Sequence, residues 1–197
     1  ADDDFSKFGS IAELTNWNIY SPVWAPVSLE GAWLKLQDKD PFDYAKVERK
    51  IPASKELKVS FDLLAEQNDK GRLQIDFLDG NSIACSRLEL TPDGIFRMKG
   101  GSRFANMMNY EAGKTYHVEA VLSTADRNIQ VYVDGKRVGL RMFYAPVATI
   151  ERIVFRTGEM RTFPTVDTPA DQTYDLPDAG GQEPLAEYRI ANVKTSS

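Results

Sequence analysis

The 197-residue chain has one cysteine, Cys85, and one histidine, His117. A lone cysteine excludes an intramolecular disulfide framework, and within the strand-like NSIACSRLEL it reads as a small buried apolar side chain. One histidine without partner cysteines leaves no cluster for zinc, so no metal centre is expected. No Gly-rich phosphate loop and no Gly-x-Ser-x-Gly elbow accompanies it. No apolar run approaches the length of a bilayer, which argues against membrane insertion. There is no Lys/Arg run or basic helix, and the net charge is −5, which argues against nucleic acid as a partner. Helix signals are scarce too. FGSIAELTNW (8–17) reads as a short helical turn with Ser10 as N-cap and Glu13 three residues on. RFANMMNY (103–110) reads as another turn, or as a loop over one face.

What remains is 42% hydrophobic and 27% charged, the composition of a globule with a full core. Its dominant period is two. ELKVSFDLLA (56–65) puts Leu57, Val59, Phe61 and Leu63 on one face, and RLQIDFLDG (72–80) does the same with Leu73, Ile75 and Phe77. GIFRMKG (94–100), TYHVEAVLS (115–123), NIQVYVDG (128–135), IERIVFRTG (150–158) and AEYRIANVKT (186–195) continue the pattern. NDKG, DGN, TPDG, EAGK and TADRN separate them as turns. Many short strands at this spacing predict an antiparallel sandwich or barrel. One domain over residues 1–197 fits the length. Two stretches resist the strand reading and are expected as long loops. One is about 15–33, which holds Trp17, Trp24 and Trp33, and the other is 157–185, rich in Pro, Gly, Asp and Thr.

TYHVEAVLSTADRNIQVYVDGKRVG resembles a strand pair of concanavalin A-like, laminin-G-like jelly-roll domains, with Tyr-x-Val-x-Ala-x-Leu on one strand and Ile-x-Val-Tyr-Val-Asp-Gly on the next. DDDFSKFG is similar to the first strand of that fold, and YRIANVKT to the last strand beside it. The resemblance implies an all-β, two-sheet antiparallel jelly-roll sandwich. In it Asp134-Gly135 supplies a tight hairpin turn, and His117, Glu119, Gln130 and Tyr132 face away from the core. The fold often carries a structural calcium near its joined termini, for which Asp2, Asp3 and Asp4 are available, although three acids at a chain end are also ordinary solvated charge. No other cofactor is implied.

The same resemblance implies a carbohydrate-binding or accessory module of a secreted bacterial polysaccharide-processing system, located outside the cell, in the periplasm or on the cell surface. The ligand would be a polysaccharide or oligosaccharide, with neighbouring domains of a larger protein as further partners. Two alternatives stay open: a lyase or hydrolase with a non-standard site, and a structural or protein-interaction sandwich. Laminarinase-type hydrolases carry Glu-x-Asp-x-x-Glu on one strand, which this sequence lacks. Jelly-roll alginate lyases carry Gln-Ile-His and Arg-x-Glu. This chain has Gln74-Ile75-Asp76 and Arg87-Leu88-Glu89, with Asp76 in place of the histidine.

Sugar binding needs aromatic faces and planar polar groups. Trp17, Tyr20, Tyr110, Tyr144 and Tyr174 are available rings, and Trp24, between two prolines, and Trp33, beside Lys35 and Gln37, are the favoured ones. Arg72, which shares a face with the candidate Gln74, and Arg152, Arg156 and Arg161 are candidates for a cationic groove, because a guanidinium meets a carboxylate in a bidentate fork. The competing expectation is that these arginines pair with Asp76, Glu89, Glu119 and Glu151 across strands. His117, Glu119 and Tyr132 complete the candidate ligand-binding set.

Overall fold

The computed structural model describes residues 1–158 and 181–197. Two antiparallel sheets pack face to face. Sheet A runs in the order β13 (Lys136–Met142), β12 (Asn128–Val133), β11 (Thr115–Ser123), β6 (Glu56–Ala65), β15 (Ala186–Ser196), β4 (Trp33–Asp38) and β3 (Val27–Glu30), with β1 (Asp2–Asp3) also on β15. Sheet B runs β10 (Arg103–Asn109), β9 (Ile95–Gly100), β8 (Ala84–Leu90), β7 (Leu73–Leu78), β14 (Ile150–Thr157), β5 (Lys46–Ser54) and β2 (Trp17–Tyr20). This is the jelly-roll sandwich that the sequence implies.

The core forms because each period-two strand turns one row inward. Leu57, Val59, Phe61 and Leu63 of β6 lie beside Val118, Ala120 and Leu122 of β11, and all are buried. Leu73, Ile75 and Phe77 face them from sheet B. Phe61 meets Phe155 edge-on at 5.1 Å between ring centroids, and Trp17 packs against Phe5 and Phe155. The turn after β12 has the two positive φ values of a tight hairpin, 49° at Asp134 and 79° at Gly135. The Asp134 carboxylate also accepts a hydrogen bond from the His117 backbone N–H, so this residue serves the turn.

Several sequence expectations need correction. Residues 15–33 contain β2 and β3 and are not one loop. RFANMMNY supplies an edge strand, β10, and no helix. The turn at Ile11–Glu13 is a single 3-10 turn. Ser10 makes no side-chain cap there, and the Glu13 carboxylate instead accepts from the Gly9 N–H. Of the acidic start, Asp3 binds Arg49 through both carboxylate oxygens, and Asp4 accepts from the Ser6 N–H and hydroxyl. Most of the expected 157–185 loop lies outside the described residues.

Cys85 is fully buried, and burial pushes its thiol from 9.0 up to about 12. At pH 8 only about one thiol in ten thousand is then ionised. The native protein is expected to resist a thiol-directed disulfide reagent at pH 8 and to react fully in denaturant. Stoichiometric labelling of the native protein within seconds would contradict this. Because the folded thiol titrates later than the unfolded one, its contribution to stability holds below pH 9 and declines as the pH rises above it.

Candidate binding faces

Alternation gives each sheet an outer face, and the sequence candidates divide between the two. Trp33, His117, Glu119 and Tyr132 lie on the outer face of sheet A. Arg72, Gln74 and Arg156 lie on the outer face of sheet B, so the structure does not bring the seven together. Trp24 stands in the crossing between β2 and β3, half-buried, and its carbonyl accepts from the Lys39 N–H. Its neighbour Val23 is 90% exposed. Arg161 and Tyr174 lie outside the described residues. Trp17 and Tyr110 are core residues. The Tyr110 hydroxyl donates to the Thr91 carbonyl, and burial pushes its pKa up to about 12.

On the outer face of sheet A, from β11 to β3, the charges are answered by neighbours on the same or nearby strands. Lys58 pairs with Glu119 at 2.8 Å. Asp62 takes His117 Nδ1 at 2.7 Å and the Asn192 amide at 2.6 Å. Arg189 is shared among Glu30, Glu66 and Glu187, all within 3.0 Å, and Glu30 also holds Lys35. The carboxyl of Glu30 is held below its usual range by Lys35 first and by Arg189 second. The Tyr132 hydroxyl donates to Gln130 on its own strand. Such cross-strand pairs are ordinary on a wetted sheet.

Sheet B is different. Its outer face carries Glu48, Asp76 and Glu89 against Lys46, Arg87, Arg97, Lys99, Arg152 and Arg156, with Arg72 just ahead of β7. The carboxylates form a buried floor. Asp76 receives Arg87 Nε at 2.6 Å and Nη2 at 2.9 Å. Glu89, only 2% exposed, binds Arg72, receives Arg97 Nε at 2.8 Å and accepts from the Gln74 amide at 3.1 Å. Above this floor the cations lean on rings. Arg156 stacks over Tyr44 at 3.8 Å, Arg97 over Phe104 at 4.1 Å and Lys99 over Tyr144 at 4.4 Å. Lys99 has no carboxylate within 4 Å among the described residues. Phe104 is 36% exposed at the β10 edge. Tyr20, 46% exposed at the β2 edge, packs on Tyr44. Burial drives the Tyr144 and Tyr188 phenols upward, so both stay neutral.

This arrangement offers aromatic faces at both edges with forked donors between them. The expected pairing of Asp76 and Glu89 with arginines is present, but on a buried layer and not on a solvated surface. Tyr44, Arg97, Lys99 and Phe104 escaped the sequence reading. The alternation Phe104, Asn106 on one side and Ala105, Met107 on the other was the available signal for β10, and Met107-Met108 at its bulge blurs it.

Residues 17–172 match the family described as "Sialidase-like, CBM domain", a carbohydrate-binding module. The chain belongs to this family. It is a carbohydrate-binding accessory module. Over its whole length it is 97% identical to part of a solved sialidase, with a TM-score of 0.94, and it spans 18% of that chain. It is also similar to a structure from work on endo-acting O-glycanases of the human gut microbiota, at 14% identity and a TM-score of 0.67, covering 100% of this chain and 98% of that one. An alginate lyase of polysaccharide lyase family 7 matches at 13% identity and a TM-score of 0.57, covering 93% and 95%. These last two show the fold alone. No curated protein matches the module. Among the described residues, no helix is long and apolar enough to cross a membrane.

Proposed function

We propose that residues 1–197 form one module that holds a glycan on the outer face of sheet B and so keeps a sialidase-type enzyme at its substrate outside the cell. The observation that carries this reading is the contrast between the two faces. On sheet A, from β11 to β3, the charges are satisfied by their neighbours. On sheet B half-exposed rings and cations stand over a floor that is already neutralised. A rigid, paired floor fixes the donors in place before the ligand arrives, which reduces the ordering cost of binding.

Sugar rings stack their C–H faces on aromatic side chains, so Tyr20, Tyr44 and Phe104 are the platforms, and Arg156 and Lys99 supply hydroxyl-directed donors, with Gln74 in the buried floor beneath them. A lyase-type site on β7 and β8 is less well supported, because both oxygens of Asp76 are bound by Arg87. A glycan array followed by titration of the best binder tests the proposal. Phe104→Ala and Tyr44→Ala are each expected to weaken binding about tenfold, with His117→Ala and Glu119→Ala near wild type. Silence on every glycan, or loss confined to the sheet A variants, would refute it.

A further inference from the structure

The outer face of sheet A changes character at its β13 edge. From β11 to β3 the charges are paired, but β12, β13 and the turns around them break the pattern. Residues 127–150 hold one acid, Asp134, and four bases, Arg127, Lys136, Arg137 and Arg141. The Asp134 carboxylate is taken by the His117 N–H. Among the described residues, none of the four bases has a carboxylate within 4 Å, and the Arg141 guanidinium donates to the Leu140 carbonyl.

The apolar side chains here are uncovered too. Leu140 is in register with Gln130 and Met142 with Asn128, and both face outward, because Ile129 and Val131 of the same strand fill the core. Leu140 is 45% exposed and Met142 58%, the latter exceeded only by Val23 among the large apolar side chains described. Arg137 opposes Tyr132 and leaves by the same face. β13 ends its sheet, with no strand beyond it. Single exposed apolar residues are ordinary, but a contiguous group among unpaired cations marks an interaction surface. Tyr, Met and Arg are the residues enriched at protein interfaces, where Asp and Glu are depleted.

Two facts select the occupant. A second copy docked about a two-fold axis would set this patch against itself, and so bring unpaired cations against cations. The partner surface must therefore be acidic. The module also spans only 18% of the sialidase to which it is 97% identical, so most of that polypeptide lies outside it, tethered at high effective concentration.

We propose that the β12–β13 edge of sheet A, through Tyr132, Arg137, Leu140 and Met142, docks on the adjoining enzyme portion of the same polypeptide, against apolar side chains ringed by Asp or Glu. That the neighbour is a sialidase-type enzyme rests on the function proposed above. The docking surface lies on the opposite side of the sandwich from the sheet B face. Docking through sheet A leaves sheet B open to a glycan and fixes its orientation to the enzyme.

Methionine oxidation in the whole sialidase chain tests this. Dilute hydrogen peroxide converts an exposed methionine to its sulfoxide, and peptide mass spectrometry follows Met142 by itself. On a free face Met142 oxidises as fast as the methionine of a short unstructured peptide. Docked, it is expected to oxidise at least about tenfold more slowly, as a site that is open a tenth of the time or less. Arg137→Glu reverses the charge at the contact and is expected to raise the rate about fivefold or more. Arg103→Glu, at an exposed position on β10 of the other sheet, is expected to leave it unchanged. The proposal is overturned if Met142 of the wild-type chain oxidises at the peptide's rate, if Arg137→Glu leaves the rate unchanged, or if Arg103→Glu raises it as much. Protection that is lost on dilution overturns it in favour of a second copy. The sheet B reading fails or stands separately: Phe104→Ala is expected to weaken glycan binding and to leave Met142 protected.

Discussion

Glu89→Ala is expected to destabilise the module by about 3–5 kcal/mol, enough to lower its melting temperature by roughly 10 °C. The side chain is 2% exposed and lies between Arg72 and Arg97, with the Gln74 amide on its other oxygen. Taking the carboxylate away leaves two guanidinium groups without the anion that they share. Their mutual repulsion adds to the desolvation that the anion had offset. Glu89→Gln keeps the shape and an acceptor but loses the charge, so a smaller loss is expected. Thermal melts of both variants decide the matter. If alanine and glutamine cost the same, the effect is one of packing and the electrostatic account fails. Arg72→Met, Glu89→Met and Arg97→Met together, an apolar replacement of the whole cluster, test the converse. A buried pair removed together costs much less than one broken.

Gly71→Ala is the second large effect, about 2–5 kcal/mol. The backbone there has φ = +72°, and a Cβ would stand 2.3 Å from the Cβ of Ala186 and 2.8 Å from the Tyr188 hydroxyl. Both neighbours belong to β15, a central strand of sheet A, and neither is a flexible side-chain end that can swing away. Two costs therefore combine, the left-handed backbone and the collision with a strand that cannot retreat. Gly101→Ala provides the comparison. Its φ is +59° and nothing lies within 4 Å of its Cβ, so it should show the backbone cost alone, about 1 kcal/mol. Urea unfolding of both proteins gives the difference. Equal costs at Gly71 and Gly101 would mean that the sandwich yields at β15 and that the close approach is not a constraint.

The parts of the fold that could be read directly are those where one face is dry. β6 and β11 run over the same residues as the apolar alternation in ELKVSFDLLA and TYHVEAVLS, because a one-residue slip there would put every apolar side chain in water. β5 gave no such signal. KVERKIPAS interleaves Val47 and Ile51 with Arg49, which faces inward but is held by Asp3, so the polar residue at a core register hides the period. β2 and β3 are four residues each, too short to show a period among the tryptophans.

The candidate site was legible only in part. Gln74 and Arg156 could be placed on one face from their parity with the core residues beside them. Parity cannot say which residues of different sheets share a surface, however. His117 and Arg72 therefore belonged to one list in the sequence and lie on opposite sides of the molecule. The rings that stack on cations, Tyr44 and Phe104, come from a loop and an edge strand, where neighbours are set by tertiary packing and not by spacing.

The two ends of the chain meet. β1 pairs with β15 at Asp2 and Lys194, and the Ala1 carbonyl accepts from the Thr195 N–H. This arrangement sets how the module responds to tension. Pulled between its two termini, the β1–β15 bonds are loaded one after another, as a zipper opens, and not all at once in shear. That seam is expected to open at lower force than the core strands behind it, a difference that single-molecule pulling would measure. A pull between one terminus and a ligand on sheet B loads the whole thickness of the core instead, so the same fold is soft along one line of force and stiff along another.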